Sequence, residues 1–162
     1  MEPTDLALLL LRLWLGVVII AHGVNHGRTL DGTADWFGGM GWQQPRRQAL
    51  LSAVGEIAIG AGLVVGLLTS IAAGGLIAVM FVAYLTVHRK NGFFIFRPGE
   101  GYEYVATIAV AGLSLAILGA GDASLDGLLE IDGLNGWTGL VIGLGGLVVA
   151  RLQVAMFWRP TQ

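Results

Sequence analysis

The sequence predicts an all-α integral membrane protein, a bundle of helices that cross the bilayer. Hydrophobic residues make up 55% of the 162 residues and charged residues only 12%, whereas a soluble domain carries about a quarter charged residues. The apolar residues form long continuous runs rather than the alternating pattern of a membrane barrel strand. The net charge is −2 and there is no basic tail, so nothing indicates binding to nucleic acid. The lipid bilayer is therefore the first partner that the composition predicts.

Five runs are long enough to cross a membrane as helices, a count that competes with four. We place them at residues 6–22, 49–68, 71–87, 102–118 and 137–158. The second and third are separated only by Leu68, Thr69 and Ser70, which predicts a tight helical hairpin. The last run is apolar apart from Arg151 and Gln153.

Basic residues are concentrated in two of the segments between these runs. Segment 23–48 holds Arg28, Arg46 and Arg47, and segment 88–101 holds Arg89, Lys90 and Arg97. The N-terminal segment and the hairpin turn hold none, and segment 119–136 is acidic. Because basic loops stay on the cytoplasmic side, we predict a multi-pass protein of the inner (cytoplasmic) membrane, with its N-terminus outside and its C-terminus in the cytoplasm.

Two charged residues fall inside the predicted spans, Arg12 in the first and Glu56 in the second. A charge at the bilayer centre costs at least about 2.5 to 3.5 kcal/mol, and a guanidinium group matches a carboxylate well. We therefore predict a buried ion pair between Arg12 and Glu56, which would either fix the helix register or take part in function. In the alternative, Arg12 extends toward the outer surface and leaves Glu56 protonated.

Titratable side chains also gather at the predicted cytoplasmic ends of three spans. His22, His88 and Glu103 are the candidate catalytic residues, and His26 lies one helical turn after His22. Such a cluster can hydrogen-bond a quinone head group, relay protons or bind a metal; alternatively, the histidines are simply hydrated at the interface. The candidate ligand-binding residues are His22, His26, Tyr84, His88, Asn91, Tyr102 and Glu103.

The same cluster offers little for metal or thiol chemistry. The spacing of His22 and His26 lacks the glutamate of a zinc peptidase motif, and His22 and His88 end their spans instead of facing each other as two haem ligands would. We therefore predict no metal site. The chain has no cysteine, so any thiol or iron–sulfur chemistry would belong to a partner.

Several short motifs occur together in a characteristic order and spacing. They are Arg12-x-x-x-Gly16 before His22-Gly23, then Glu56, Asn91-Gly92-Phe93-Phe94, Gly101-Tyr102-Glu103-Tyr104 and Ser124-Leu125-Asp126. Over roughly residues 6–128 the chain thereby resembles the DoxX family of small membrane proteins. The resemblance implies a four-helix DoxX-like membrane domain in residues 1–128, so that residues 129–162 would be a C-terminal extension with a fifth transmembrane helix.

The resemblance also implies a redox setting. DoxX-like proteins are similar to the membrane subunit of thiosulfate:quinone oxidoreductase, and members have been tied to complexes that handle oxidative and thiol stress. The expected function is that of a membrane subunit of an oxidoreductase complex. It would bind a quinone or a similar apolar redox molecule near the cytoplasmic face, with sulfur or metal chemistry on a soluble or membrane redox partner.

The alternative is a small-molecule carrier or membrane scaffold without redox activity. It depends on the Arg12–Glu56 pair at mid-membrane and on a faint repeat, in which His22-x-x-Asn25 and His88-x-x-Asn91 each precede a helix with an early glutamate. A homo-oligomer is compatible with either function, and the sequence leaves open whether the chain is active alone.

Overall fold

The computed structural model describes residues 1–131 and 133–160, and within them the chain is helical with no strand. The α-helices are α1 Pro3–Arg28, α2 Leu30–Gly39, α3 Pro45–Val65, α4 Thr69–Ala83, α5 Glu103–Leu118, α6 Leu125–Leu128 and α7 Gly136–Phe157. A π-helical turn, Tyr84–His88, and a 3-10 turn, Arg89–Asn91, continue α4. Asp132, Thr161 and Gln162, which belong to the predicted C-terminal extension, lie outside the described residues.

The predicted helical membrane bundle is confirmed. Within the described residues, four helices are long and apolar enough to cross a membrane: α1, α3, α4 with its two added turns, and α7. The remaining predicted span is α5, which is apolar but has only 16 residues. At a rise of roughly 1.5 Å per residue it is about 24 Å long, somewhat less than a hydrocarbon core of about 30 Å.

Two predicted boundaries differ from the structure on the N-terminal side. Helix α1 runs past the predicted end at position 22 as far as Arg28, and α2 forms within the segment predicted as a basic loop. The reason is tertiary packing, because α2 lies against α3 and buries Thr33 and Ala34. The predicted hairpin is present, with its turn between Val65 and Thr69.

The long helices alternate in direction, which defines two ends of the bundle. We call the end with the α3–α4 turn the hairpin end, and the end with the last turn of α1 and the π-helical turn the histidine end. Helices α1, α3, α4 and α5 form a four-helix core, and α7 packs on the outside of α4 and α5. Leu15, Ile19, Leu63, Leu76 and Leu115 are among the buried core residues.

Close helix contacts and an apolar outer surface fit a membrane environment. A side chain on Gly60 would lie 2.6 Å from the carbonyl oxygen of Gly16, so α1 and α3 touch backbone to backbone. Large apolar side chains such as Trp14, Val110 and Val141 are exposed on the outer faces of their helices. An exposed apolar surface of this extent is typical of contact with lipid.

Candidate functional site

An apolar cavity of about 330 Å³ lies inside the four-helix core toward the histidine end. Aliphatic side chains of α1, α4 and α5, including Ile19, Leu76 and Ile108, form most of its wall. The polar residues in the wall are His22, His26, Glu56, His88, Glu100 and Tyr104. An apolar pocket with a few converging polar groups is the usual form of a small-molecule site.

Glu56 is the buried charged residue of this cavity. It is only 3% exposed, and its Oε1 accepts a hydrogen bond from the Ser52 hydroxyl, one helical turn earlier, at 2.5 Å. The Nδ1 atom of His26 lies 3.0 Å from Ser52 Oγ and 3.4 Å from Glu56 Oε1. Among the described residues, Oε2 of Glu56 has no hydrogen-bond partner. A buried carboxylate oxygen without a donor is costly, so Oε2 keeps an unused capacity for a hydrogen bond at this depth of the bundle.

The sequence of α1 brings His26 to this carboxylate. A side chain on Gly23 would come within 2.9 Å of Glu56 Cβ and 2.8 Å of the Ala53 carbonyl oxygen. Glycine at this position therefore lets α1 approach α3 closely, and His26 follows one turn later. Phe37 of α2 packs edge-on against the imidazole, with 6.1 Å between ring centroids, and limits its rotation.

The other two histidines also line the cavity. His88 belongs to the π-helical turn Tyr84–His88, an element often found at functional sites. Its Nδ1 donates to the carbonyl oxygen of Glu100 at 2.9 Å, so Nε2 is the nitrogen that neutral His88 can offer as an acceptor. His22 is exposed and lines the cavity one turn before His26.

The remaining predicted ligand-binding residues support the loop between α4 and α5. Asn91 Nδ2 donates to the carbonyl oxygens of Gly99 and Glu100, and Glu103 Oε2 accepts from the Ile95 amide at 3.2 Å. Tyr84 and Tyr102 pack edge-on against each other at 5.3 Å. Of the seven predicted residues, His22, His26 and His88 line the cavity, whereas these four lie outside its wall.

The predicted ion pair between Arg12 and Glu56 is not formed. Arg12 is fully buried at the hairpin end. Its Nε donates to Ala120 O at 3.0 Å, its Nη1 to Leu63 O at 3.0 Å and Val64 O at 3.2 Å, and its Nη2 to Ala123 O at 2.5 Å. Four carbonyl oxygens therefore satisfy the guanidinium, which stays buried near the hairpin end.

The helix register explains this correction. Gly23 of α1, not Arg12, lies beside Glu56. At roughly 1.5 Å per residue, positions 12 and 23 are about 16 Å apart along the helix. Arg12 and Glu56 therefore lie at different levels of the bundle, too far apart along its axis to form an ion pair.

Asp126 completes the cluster at the hairpin end. Its two carboxylate oxygens accept hydrogen bonds from the amides of Leu68 and Thr69 at 2.7 and 2.8 Å, so they cap the start of α4. Its own amide donates to Gly66 O at 2.8 Å. The Arg12 and Ser124-Leu125-Asp126 motifs thus tie the α3–α4 turn to the segment after α5.

Sequence reasoning missed four residues of the site: Ser52 beside Glu56, and Trp36, Glu100 and Tyr104 in the cavity wall. Only Ser52 carried a readable signal, because residues four positions apart share a helix face. In the ranges 1–131 and 133–160, no three His, Asp or Glu side chains come close enough together to hold a metal ion.

A family comparison bears on the same helices. The DoxX family model matches residues 7–89, just over half of the chain. The chain belongs to the DoxX family. The matched DoxX region runs from the first turns of α1 to the 3-10 turn after α4, and it includes Arg12, Glu56 and the three histidines. Neither the curated proteins nor the solved structures contain a match to the chain.

Proposed function

We propose that this DoxX protein is the membrane subunit of an oxidoreductase complex, and that its cavity holds the head group of a quinone or a similar apolar redox molecule. The observation that carries the proposal is the unpartnered Oε2 of Glu56, a residue in the wall of a largely apolar cavity that three histidines also line. A volume of about 330 Å³ is in the range of small-molecule sites, roughly 300 to 1,000 Å³.

The residues of the wall fit such a head group. A quinone accepts two electrons and two protons when it is reduced. Its carbonyl oxygens are hydrogen-bond acceptors, and an imidazole N–H of His22 or a protonated carboxyl group of Glu56 can donate to them. Ile19, Leu76 and Ile108 make the wall near Glu56 apolar, and a hydrogen bond in such low-dielectric surroundings is stronger than one in water.

Electrons would come from a partner protein. The chain has no cysteine, so thiol chemistry would take place elsewhere in the complex. Apart from Arg12, all Lys and Arg side chains lie at the histidine end or, for Arg151, in the last third of α7. By the positive-inside rule, this end would face the cytoplasm, and the N-terminus would lie outside. A soluble or membrane redox protein would bind at that face, next to the cavity.

The carrier alternative has less support. It depended on an Arg12–Glu56 pair at mid-membrane, whereas Arg12 is bound to carbonyl oxygens at the hairpin end. The carrier alternative also depended on a repeat in which Glu56 and Glu103 occupy equivalent positions in their helices. Their positions differ, because Glu56 lies in the middle of α3 and Glu103 is the first residue of α5.

Native mass spectrometry of the protein, extracted gently from its own membranes, tests the proposal. Glu56→Leu and Glu103→Leu make a matched pair, because both replace a carboxyl group by a side chain that cannot hydrogen-bond but only Glu56 lines the cavity. We expect wild type and Glu103→Leu to retain a mass that matches a quinone. Retention by Glu56→Leu should fall on the order of tenfold, the effect of losing about 1.4 kcal/mol of binding.

Thermal melting in the same detergent shows whether both variants are folded. A co-extracted protein that carries a redox centre would support the complex as well. A chain that carries only phospholipid, or equal quinone retention by the two variants, would contradict the quinone site and favour a scaffold or carrier.

A further inference from the structure

A line of polar side chains runs along one face of α3. Gln48, Ser52 and Glu56 follow each other at intervals of four residues, so they lie on the same side of the helix. Helix α3 begins at Pro45 at the histidine end, and the line therefore leads from the membrane surface inward to Glu56. The first residue of the line is also paired, since Gln153 Nε2 of α7 donates to Gln48 Oε1 at 3.1 Å.

The hydrogen bonds between His26, Ser52 and Glu56 have a definite direction. A serine hydroxyl carries a single hydrogen, and that of Ser52 is donated to Glu56 Oε1. When Glu56 is an ionised carboxylate, the donor in the 3.0 Å contact between His26 and Ser52 is therefore Nδ1 of His26. The three side chains form a continuous chain in which each hydrogen points toward the carboxylate.

Burial increases along this chain. The His26 side chain is 17% exposed, whereas that of Glu56 is 3% exposed. At the buried end, Oε2 of Glu56 has no hydrogen-bond partner among the described residues, and Glu56 lines the apolar cavity. His26 is thus the partly exposed end of the chain, toward the surface at the histidine end, and Glu56 is its buried end; both side chains line the cavity.

We propose that His26, Ser52 and Glu56 form a proton path between the surface at the histidine end and the apolar cavity. Protonated His26 passes its Nδ1 proton to Ser52 Oγ while the Ser52 hydroxyl proton moves to Glu56 Oε1. An imidazolium and a carboxylate become a neutral imidazole and a carboxyl group, and no electron moves. Rotation of the carboxyl group about its Cγ–Cδ bond then presents the acid proton to the cavity.

Other titratable groups surround the same cavity and have to be distinguished from the path. They are His22 of α1, His88 at the end of the extended α4, Glu100 of the following loop and Tyr104 of α5. Helix α2 contributes Trp36 to this wall, and α7 contributes none of its charged side chains. None of these four groups hydrogen-bonds to Ser52 or Glu56 within the described part of the chain.

The proposed function enters this proposal at one point only, the identity of the molecule in the cavity that exchanges protons with Glu56. It is tested on the protein without that molecule. The probe is dicyclohexylcarbodiimide, an apolar carbodiimide that modifies protonated carboxyl groups in apolar surroundings. The protein is placed in phospholipid vesicles that are sorted by access to a C-terminal tag, so that the histidine end faces outward. The pH is then varied separately inside and outside, and modification of Glu56 is measured by peptide mass spectrometry.

We expect the rate of Glu56 modification to rise several-fold per pH unit as the outer solution is acidified, with little response to the inner pH. His26→Gln and Ser52→Ala should lose this response, because each interrupts the chain. Ser52→Thr, which keeps the hydroxyl, should restore it. His22→Gln should keep the response, since His22 lines the cavity without bonding to Ser52 or Glu56.

Modification that follows the inner pH would overturn the proton path. It would also be overturned if the modification rate depended on the outer pH in the same way in His22→Gln and His26→Gln, or if Glu56 were not modified at any pH. Ser70→Ala, which removes a buried hydroxyl at the hairpin end, controls for general loosening of the bundle. Because no quinone is present, the result is independent of the quinone retention that tests the proposed function.

Discussion

The two ends of the bundle each bury one charged side chain, and the two are satisfied to different degrees. Arg12 at the hairpin end is fully buried and makes four hydrogen bonds to backbone carbonyl oxygens. Glu56 toward the histidine end is almost as buried, yet only one of its oxygens is hydrogen-bonded. A buried charged group whose hydrogen bonds are all made within the protein stabilises the fold. One with an unused hydrogen-bonding atom can still bind a proton or a ligand. By this criterion, Arg12 belongs to a structural motif and Glu56 to a candidate site of the same membrane domain.

The acceptors of Arg12 explain why the hairpin end is structural. Leu63 and Val64 lie in the last turn of α3, where carbonyl groups lack partners within the helix and a positive charge is favoured by the helix dipole. Ala120 and Ala123 lie in the segment after α5. One guanidinium group therefore satisfies carbonyls of two segments that would otherwise have no donor in an apolar environment.

The largest effect is expected for Arg12→Leu. The variant leaves the two buried carbonyl oxygens of Leu63 and Ala120 without this donor, at about 1 to 3 kcal/mol each, and also removes two partly buried hydrogen bonds, so we expect a loss of roughly 3 to 5 kcal/mol in the free energy of unfolding. Titration with a denaturing detergent measures this loss. Arg151→Leu is the matched control, because Arg151 is exposed on α7. A change under about 1 kcal/mol in Arg12→Leu would remove the distinction between the two ends.

A smaller loss is expected when a side chain is added beside the guanidinium. Gly66 has a φ of 69°, and a Cβ there would lie 2.5 Å from Arg12 Nη1 and from Ser124 Cβ. Gly66→Ala combines backbone strain with overpacking, each at least about 1 kcal/mol, so we expect a loss of roughly 2 to 3 kcal/mol in the same titration.

Gly27→Ala is the matched change at the histidine end. Gly27 lies within α1, and the nearest atom to an added Cβ is 3.8 Å away. We expect no loss, or a gain of about 0.5 to 1 kcal/mol from better helix propensity. Equal losses at both glycines would show that the hairpin end is no more tightly packed than the histidine end.

The five apolar helices were predictable because long apolar runs report directly on membrane spans, and the short break at Leu68, Thr69 and Ser70 predicted the hairpin, whose turn lies between Val65 and Thr69. The partners of Arg12 were not predictable from its position along the first span. A shift of a few residues between α1 and α3 decides whether the guanidinium meets a carboxylate or backbone carbonyl groups. The role of Glu103 depends on the fold of the loop before it, which no periodicity encodes. The spacing of Ser52 and Glu56 was visible in the sequence, but only the approach of His26 gives it chemical meaning.

Glu56→Leu should have only a small effect on stability. The change removes a carboxylate with one unpartnered oxygen and leaves the side chains of Ser52 and His26, both of which are only partly buried. Replacing buried polar groups by apolar ones of similar volume is often neutral or stabilising, so we expect the free energy of unfolding to change by less than about 1 kcal/mol. The same detergent titration places this variant beside Arg12→Leu. If Glu56→Leu were as unstable as Arg12→Leu, Glu56 would be a structural anchor of the same kind, and its unpartnered oxygen would no longer indicate a ligand.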